Sequence, residues 1–267
     1  MARSRKAPRD LEKISEKVRN GTHRASELMD PFRGLVYARP KVGKTRLVST
    51  LPNVLILDIG EKGTKSVKRD LDPHVYRVTR LLEMDDLYWY LQSGDHPFQS
   101  WALDGVTGLQ TMALRFVMGD EAERDASKDP HMPSRQIWGK VNALCREYIT
   151  NFSNLPMHGC FTALERSRDE AEDEDEESKI VLGPAVTPGI ANHLEGAVDT
   201  IGRLTAREVV VKSKPNAKPR RVIRRTLWLG PSEKYIAGER DGVFGSRIVN
   251  PHLGEMIKTI EGGNSSG

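Results

Sequence analysis

A short apolar run, Gly34-Leu35-Val36-Tyr37-Ala38, leads without a break into Arg39-Pro40-Lys41-Val42-Gly43-Lys44-Thr45, and "RLVSTL" follows. This junction constrains the fold more than any other stretch. An apolar run of this length reads as a buried strand. Gly43 permits a tight turn and lets the backbone close on a ligand, and "KTRLVSTL" continues as a helix. Strand, glycine-lysine turn and helix form the context in which the spacing Ala/Gly-x-x-x-x-Gly-Lys-Ser/Thr cradles phosphate. The candidate nucleotide-binding residues are therefore Ala38, Arg39, Pro40, Lys41, Val42, Gly43, Lys44, Thr45 and Arg46. Lys44 is suited to the β- and γ-phosphates of ATP, and Thr45 Oγ1 to Mg2+. Ala38 stands where such loops usually open with glycine, which costs little if its φ is negative.

Such a strand needs neighbours, and the chain supplies them at intervals. "NVLILD" (53–58) and "SWALD" (100–104) are apolar runs that each end in an acid, the pattern of buried parallel strands. "VYRVT" (75–79) and "HGCFTAL" (158–164) read as further strands, and "LLEMDDLYWYLQSG" as a helix. Residues 134–155 show helical spacing through Ile137, Val141, Leu144, Tyr148 and Ile149. Strands alternating with helices predict an α/β fold, a mostly parallel sheet covered on both faces, with its binding crevice at the C-terminal strand ends. Near the C-terminus, "AVDTIGRLT", "REVVVK" and "RRVIRRTLWLG" predict an antiparallel extension around the loop "SKPNAKP". The expected organisation is a basic arm over 1–30, a core over 31–250 and a C-terminal segment over 251–267 with a flexible tail. The arm contains a short helix carrying Leu11, Ile14 and Val18 on one side.

The acids at strand ends bear on chemistry. Asp104 is placed to complete the Mg2+ shell from a neighbouring strand, with Asp58 as its competitor. Glu61, between Gly60 and Gly63, is the first candidate for the general base, and Asp58 the second. Thr162 and Glu165, at the end of a later strand, are candidate sensors of the γ-phosphate. Arg240, in "AGERDG", is a candidate arginine finger for a neighbouring subunit.

Charge is segregated along the chain more than its net +4 suggests. Residues Asp169 to Glu177 carry eight acids and no base, and Lys212 to Arg225 seven bases and no acid. Lys212, Lys214, Lys218, Arg220, Arg221 and Arg224 are thus candidate contacts for a polyanion. Trp89, Trp101, Trp138 and Trp228 all have packing roles open to them, so no stacking platform is legible. There is no apolar run of about 18 residues for a membrane span and no apolar core for a secretory signal. Cys145 and Cys160 form neither a disulfide framework nor a zinc pattern, and a cytoplasmic setting is expected.

In order, "GLVYARPKVGKTRL", "LILDIGEKGTKS", "SWALDGVTGL", "GCFTALERS", "GPAVTPGIANHLEGAVDTIGRL" and "AGERDGVFG" carry a resemblance over roughly residues 30–245. The series resembles phage-encoded nucleotide-binding proteins with a RecA/RadA-type core, a family linked to single-strand annealing and homologous recombination. The resemblance implies a RecA-like P-loop ATPase that uses ATP and Mg2+ and acts on single-stranded DNA. It also implies a homo-oligomer, a ring or filament, working beside a single-strand binding protein. Lys44 and Thr45 then take the phosphate and Mg2+ roles, Asp104 the second acidic role and Glu61 that of catalytic glutamate. The sequence departs from the pattern at three places. Ala38 replaces glycine, Glu61 follows Asp58 by three residues instead of two, and Gly238 stands where relatives often have lysine. A helicase-loader or translocase ATPase, and a nucleotide-binding assembly protein without turnover, remain the alternatives.

Overall fold

The structure, a computed structural model, describes residues 10–24, 30–60, 62–124, 132–170, 179–211 and 219–263. The chain divides into two compact units, Met1–Asp30 and Pro31–Gly267. The first contains helix α1 (Leu11–Asn20), which carries Leu11, Ile14 and Val18.

The second unit is built on one twisted sheet. In chain order its strands are β1 (Arg33–Ala38), β2 (Val54–Asp58), β3 (His74–Arg77), β4 (Ser100–Asp104), β5 (His158–Glu170), β6 (Lys179–Pro184), β7 (Thr200–Val211), β8 (Arg220–Trp228), β9 (Gly238–Glu239) and β10 (Arg247–Val249). They are ordered β10-β8-β7-β1-β5-β4-β2-β3, with β6 on β5 and β9 on β7. The six strands from β7 to β3 run parallel. Strands β8 and β10 extend the sheet antiparallel. The expected fold class is the one observed. Three details differ. "HGCFTAL" is only the first half of β5, which runs on to Glu170 and pairs with β6. "AVDTIGRLT" and "REVVVK" form one strand, β7. The helix after the glycine-lysine turn, α2 (Lys44–Val48), is short, because the Ser49 and Thr50 hydroxyls bond back to the Thr45 and Leu47 carbonyls ahead of Pro52.

Buried residues form a separate core on each face. One face packs α2 and α7 (Leu253–Gly263) on Val36, Ala38, Ile56 and Leu227. The other packs α3 (Glu83–Ser93), α4 (Val106–Arg124), α5 (Arg135–Ser153) and α6 (Pro188–Gly196) on Leu35, Tyr37, Leu103 and Phe161. Alternate residues of β1 serve opposite cores, as the period of a strand requires. Trp101 lies at the centre of the larger core, edge-on to Phe152 and Phe161. Both cysteines are buried and free, and burial pushes the Cys145 thiol up to about 12. Arg33, at the start of β1, is buried and donates to the carbonyls of Ser153, Leu155 and Met157. It thereby satisfies the end of α5, where a cation is favoured.

At the start of α3 the Glu83 carboxylate accepts from the Thr79 N–H and hydroxyl, both at 2.9 Å, and from Arg80. The Thr79 backbone bond, then its hydroxyl and Arg80, hold the Glu83 carboxyl down at about 2. A depressed carboxyl stabilises the fold fully above its unfolded value, near 4.3, and loses that contribution as pH falls toward its folded value. Glu83→Gln is therefore expected to lower stability at pH 7. In denaturant titrations at several pH values, its deficit against the wild type shrinks steadily from pH 4.5 toward 2.

Candidate functional site

Strand β1 lies at the switch point of the sheet, between β5 and β7, so the loop at its C-terminal end opens into a crevice. Within that loop Lys41 (φ 64) and Gly43 (φ 116) have left-handed backbones. Glycine adopts this freely, whereas a lysine holds it only where the surroundings impose it. Ala38 is the last residue of β1 and packs in the core with extended backbone, so no glycine is needed there. Lys44 is only 4% exposed.

Three neighbouring strands place one row of polar residues beside this loop, at the ends of β2 and β4 and within β5. In the parallel register Asp58 of β2 stands next to Asp104 of β4, and Asp104 next to Thr162 of β5. Asp104 is fully buried. Its Oδ2 accepts from Thr45 Oγ1 and its Oδ1 from Thr162 Oγ1, both at 2.6 Å. One carboxylate thus ties the loop to the sheet. The chain after β2 passes directly over the same threonine, since a β-carbon on Gly63 would stand 2.1 Å from Thr45 Oγ1. Gly108, in the first turn of α4, meets the Ile59 carbonyl as closely.

Asp58 is nearly as buried. Its Oδ1 accepts the Lys62 N–H at 3.1 Å, while Oδ2 has no hydrogen-bond partner among the described residues. A buried carboxylate oxygen without a partner is costly, and two carboxylates on adjacent strands repel. A divalent cation or its bound water beside them relieves both. Thr45 and Asp104 offer hard oxygen ligands, the set that suits Mg2+, which shares waters and substrate phosphates with few protein groups.

Glu165 braces the loop from the other side. Its buried carboxylate meets Arg39 at 3.3 Å and Arg203 of β7 at 2.6 Å. Arg225 of β8 is a contact the sequence reading missed. Its Nε–H donates to the Val42 carbonyl at 2.9 Å, and a β-carbon on Gly43 would lie 2.5 Å from that nitrogen. Burial and the nearby Arg46 both push the Arg225 guanidinium pKa down. Its partner is 183 residues away in sequence, so no local motif could reveal it.

Other expected residues lie elsewhere. Arg240 sits beside β9, at the end of β7 that flanks Gly34 and away from the loop, bonded to Asp199 and to the Gly196 carbonyl. Glu61, Lys212, Lys214 and Lys218 lie outside the described residues. Strand alternation puts Arg220 and Arg224 on one face of β8 and Arg221 on the other, where it approaches Glu208 at 3.7 Å. Trp101 and Trp138 pack on the larger core, but Trp89 is 66% exposed and has no such role. A cavity of about 910 Å³ is lined by Pro40, Ile59 and Gly60 together with Arg80, Arg115 and Phe116.

A phosphate loop at the C-terminal end of one parallel strand, with a buried acid two strands away, defines the class of P-loop ATPases. Residues 30–240 match the model of the AAA domain family, and the chain belongs to that family. No curated protein matches the sequence. Among solved structures, a KaiC-like protein from the hyperthermophilic archaeon Pyrococcus horikoshii aligns over 82% of this chain and 90% of its own. The identity is 8% and the TM-score 0.36, a likeness too slight to bear on function.

Gly63→Ala tests the geometry directly. The added methyl displaces Thr45 Oγ1 from Asp104, and affinity for a fluorescent ATP analogue is expected to fall at least about tenfold, or 1.4 kcal/mol.

Proposed function

We propose that the protein is an ATP-hydrolysing recombination or annealing protein that binds single-stranded DNA and works as a homo-oligomer, a ring or filament, beside a single-strand binding protein. The observation that carries this reading is the distribution of arginines on one face of the antiparallel extension. Arg203 and Arg207 of β7, Arg220 and Arg224 of β8 and Arg247 of β10 share that face with Trp228. Arg247 lies over the Trp228 ring at 5.5 Å and Arg203 over Tyr235 at 5.4 Å. Guanidinium groups interleaved with aromatic rings suit a single strand, which is held by backbone charge and by stacking.

At the nucleotide, Lys44 meets the terminal phosphates while Thr45 and Asp104 hold Mg2+. When bound, Mg2+ neutralises charge that develops on the phosphate oxygens. Thr162 keeps the Asp104 carboxylate turned toward Thr45. Asp58 is a candidate for orienting and deprotonating the attacking water, beside Glu61, which lies outside the described residues. One of its oxygens is fixed by the Lys62 N–H, and the other has no partner among the described residues. Glu165 sits where a change at Arg39 passes through Arg203 to the arginine face.

Two measurements test the reading. Asp58→Asn is expected to lower kcat at least about 100-fold with ATP affinity retained, and Glu61→Gln to lower it less. The reverse order assigns the base to Glu61. Loss of turnover in neither variant refutes both assignments. For DNA, replacing Arg207, Arg220 and Arg224 with alanine should weaken oligonucleotide binding and flatten the slope of log affinity against log salt by about 2, at roughly 0.7 per contact. An unchanged slope refutes the arginine face as the DNA site. Annealing of complementary strands without unwinding supports the recombination role, whereas ATP-driven unwinding moves the protein to the motor class.

A further inference from the structure

Strand β8 serves two sites at once. Its residues alternate between faces, so the consecutive pair Arg224 and Arg225 points in opposite directions. Arg224 belongs to the arginine face. Arg225 reaches the phosphate loop, where its Nε–H holds the Val42 carbonyl and its guanidinium lies against Gly43. Gly43 is the residue whose left-handed backbone shapes the loop immediately before Lys44.

The main chain of Arg225 is held as firmly as its side chain. Its N–H donates to Asn250 Oδ1 at 3.1 Å, and its carbonyl accepts the Asn250 N–H at 2.7 Å. The contact to Val42 is therefore set by where β8 lies, not by a mobile side chain alone. Arg46, in the first turn of α2, adds a second positive charge close to Arg225, and is itself paired with Asp70 at 2.5 Å. Asp70 already offsets the Arg46 charge, which leaves the Arg225 guanidinium as a cation for a phosphate anion at the mouth of the loop to meet. The two Nη groups of Arg225 donate no hydrogen bond within the described residues, which leaves them available to such an anion.

We propose that Arg225 is a positioning residue of the nucleotide site and the physical link between it and the arginine face. A polyanion that draws Arg220 and Arg224 toward itself shifts β8, and the shift is delivered to Val42 and Gly43 through Arg225. By reciprocity, a nucleotide phosphate that reorders the loop alters the position of Arg224. The inference rests on the reading of the site as one that binds both ATP and single-stranded DNA.

The test uses the full-length protein, a fluorescent ATP analogue and a short deoxythymidine oligonucleotide. Nucleotide affinity is measured with and without saturating oligonucleotide, and oligonucleotide affinity is measured separately by anisotropy. In the wild type, bound oligonucleotide should change nucleotide affinity by about fivefold or more. Arg225→Ala should still bind the oligonucleotide but show no such change, with weaker nucleotide binding throughout. Arg225→Lys keeps the charge but lacks the Nε–H that holds Val42, so it should restore part of the nucleotide affinity and none of the coupling. Because Lys preserves the long stem, it also serves if the alanine variant does not fold. Coupling that persists in the folded variants, or its absence from the wild type, overturns the proposal. A wild type that binds no nucleotide, or no oligonucleotide, sinks the parent reading and this inference with it, and is recognised before any variant is made.

Discussion

The buried carboxylate of Asp104 is the point on which the site depends. Its two oxygens accept from Thr45 on one side and Thr162 on the other, so a single group joins β4, β5 and the first turn of α2. A carboxylate removed from water must have its lone pairs satisfied, and here hydroxyls from two different elements do so. The phosphate loop is thereby held to the sheet at its far end. At its near end Ala38 is locked in β1, and Arg225 grips it in between. Three independent anchors thus hold a loop with two left-handed residues.

Charge is divided between the faces of the same extension. The arginine face collects Arg203, Arg207, Arg220, Arg224 and Arg247, whereas the opposite face carries Glu208, Arg221 and Arg225. An undivided basic block in the sequence is split between two faces because a strand alternates. Glu165 is the acid that bounds the first set, tying Arg203 to Arg39 at the loop. One strand, β8, thus borders both the arginine face and the phosphate loop.

Much of this was legible in advance. The apolar runs that end in Asp58 and Asp104 became adjacent parallel strands, and Thr162 proved to be the neighbour of Asp104. Helix α4 is less legible, although Val106, Leu109, Ala113 and Val117 are buried at helical spacing. Its other faces carry Leu114, Phe116 and Met118 as well, which blurs the contrast that marks an amphipathic helix. The exposure of Trp89 was not legible at all, since an aromatic residue reads as core until its neighbours are known.

From the sequence alone came the parallel sheet, the phosphate loop and the acids beside it. Period, apolar runs and the glycine-lysine turn are local properties, and local sterics and burial determine them. Only the tertiary structure decided that Asp58 keeps an oxygen without a partner among the described residues, that Arg221 faces away from Arg220 and Arg224, and that Arg225 reaches Val42. Each of these depends on the register between strands far apart in the chain. Register follows from how whole faces bury against their cores, and no stretch of residues read by itself contains that information.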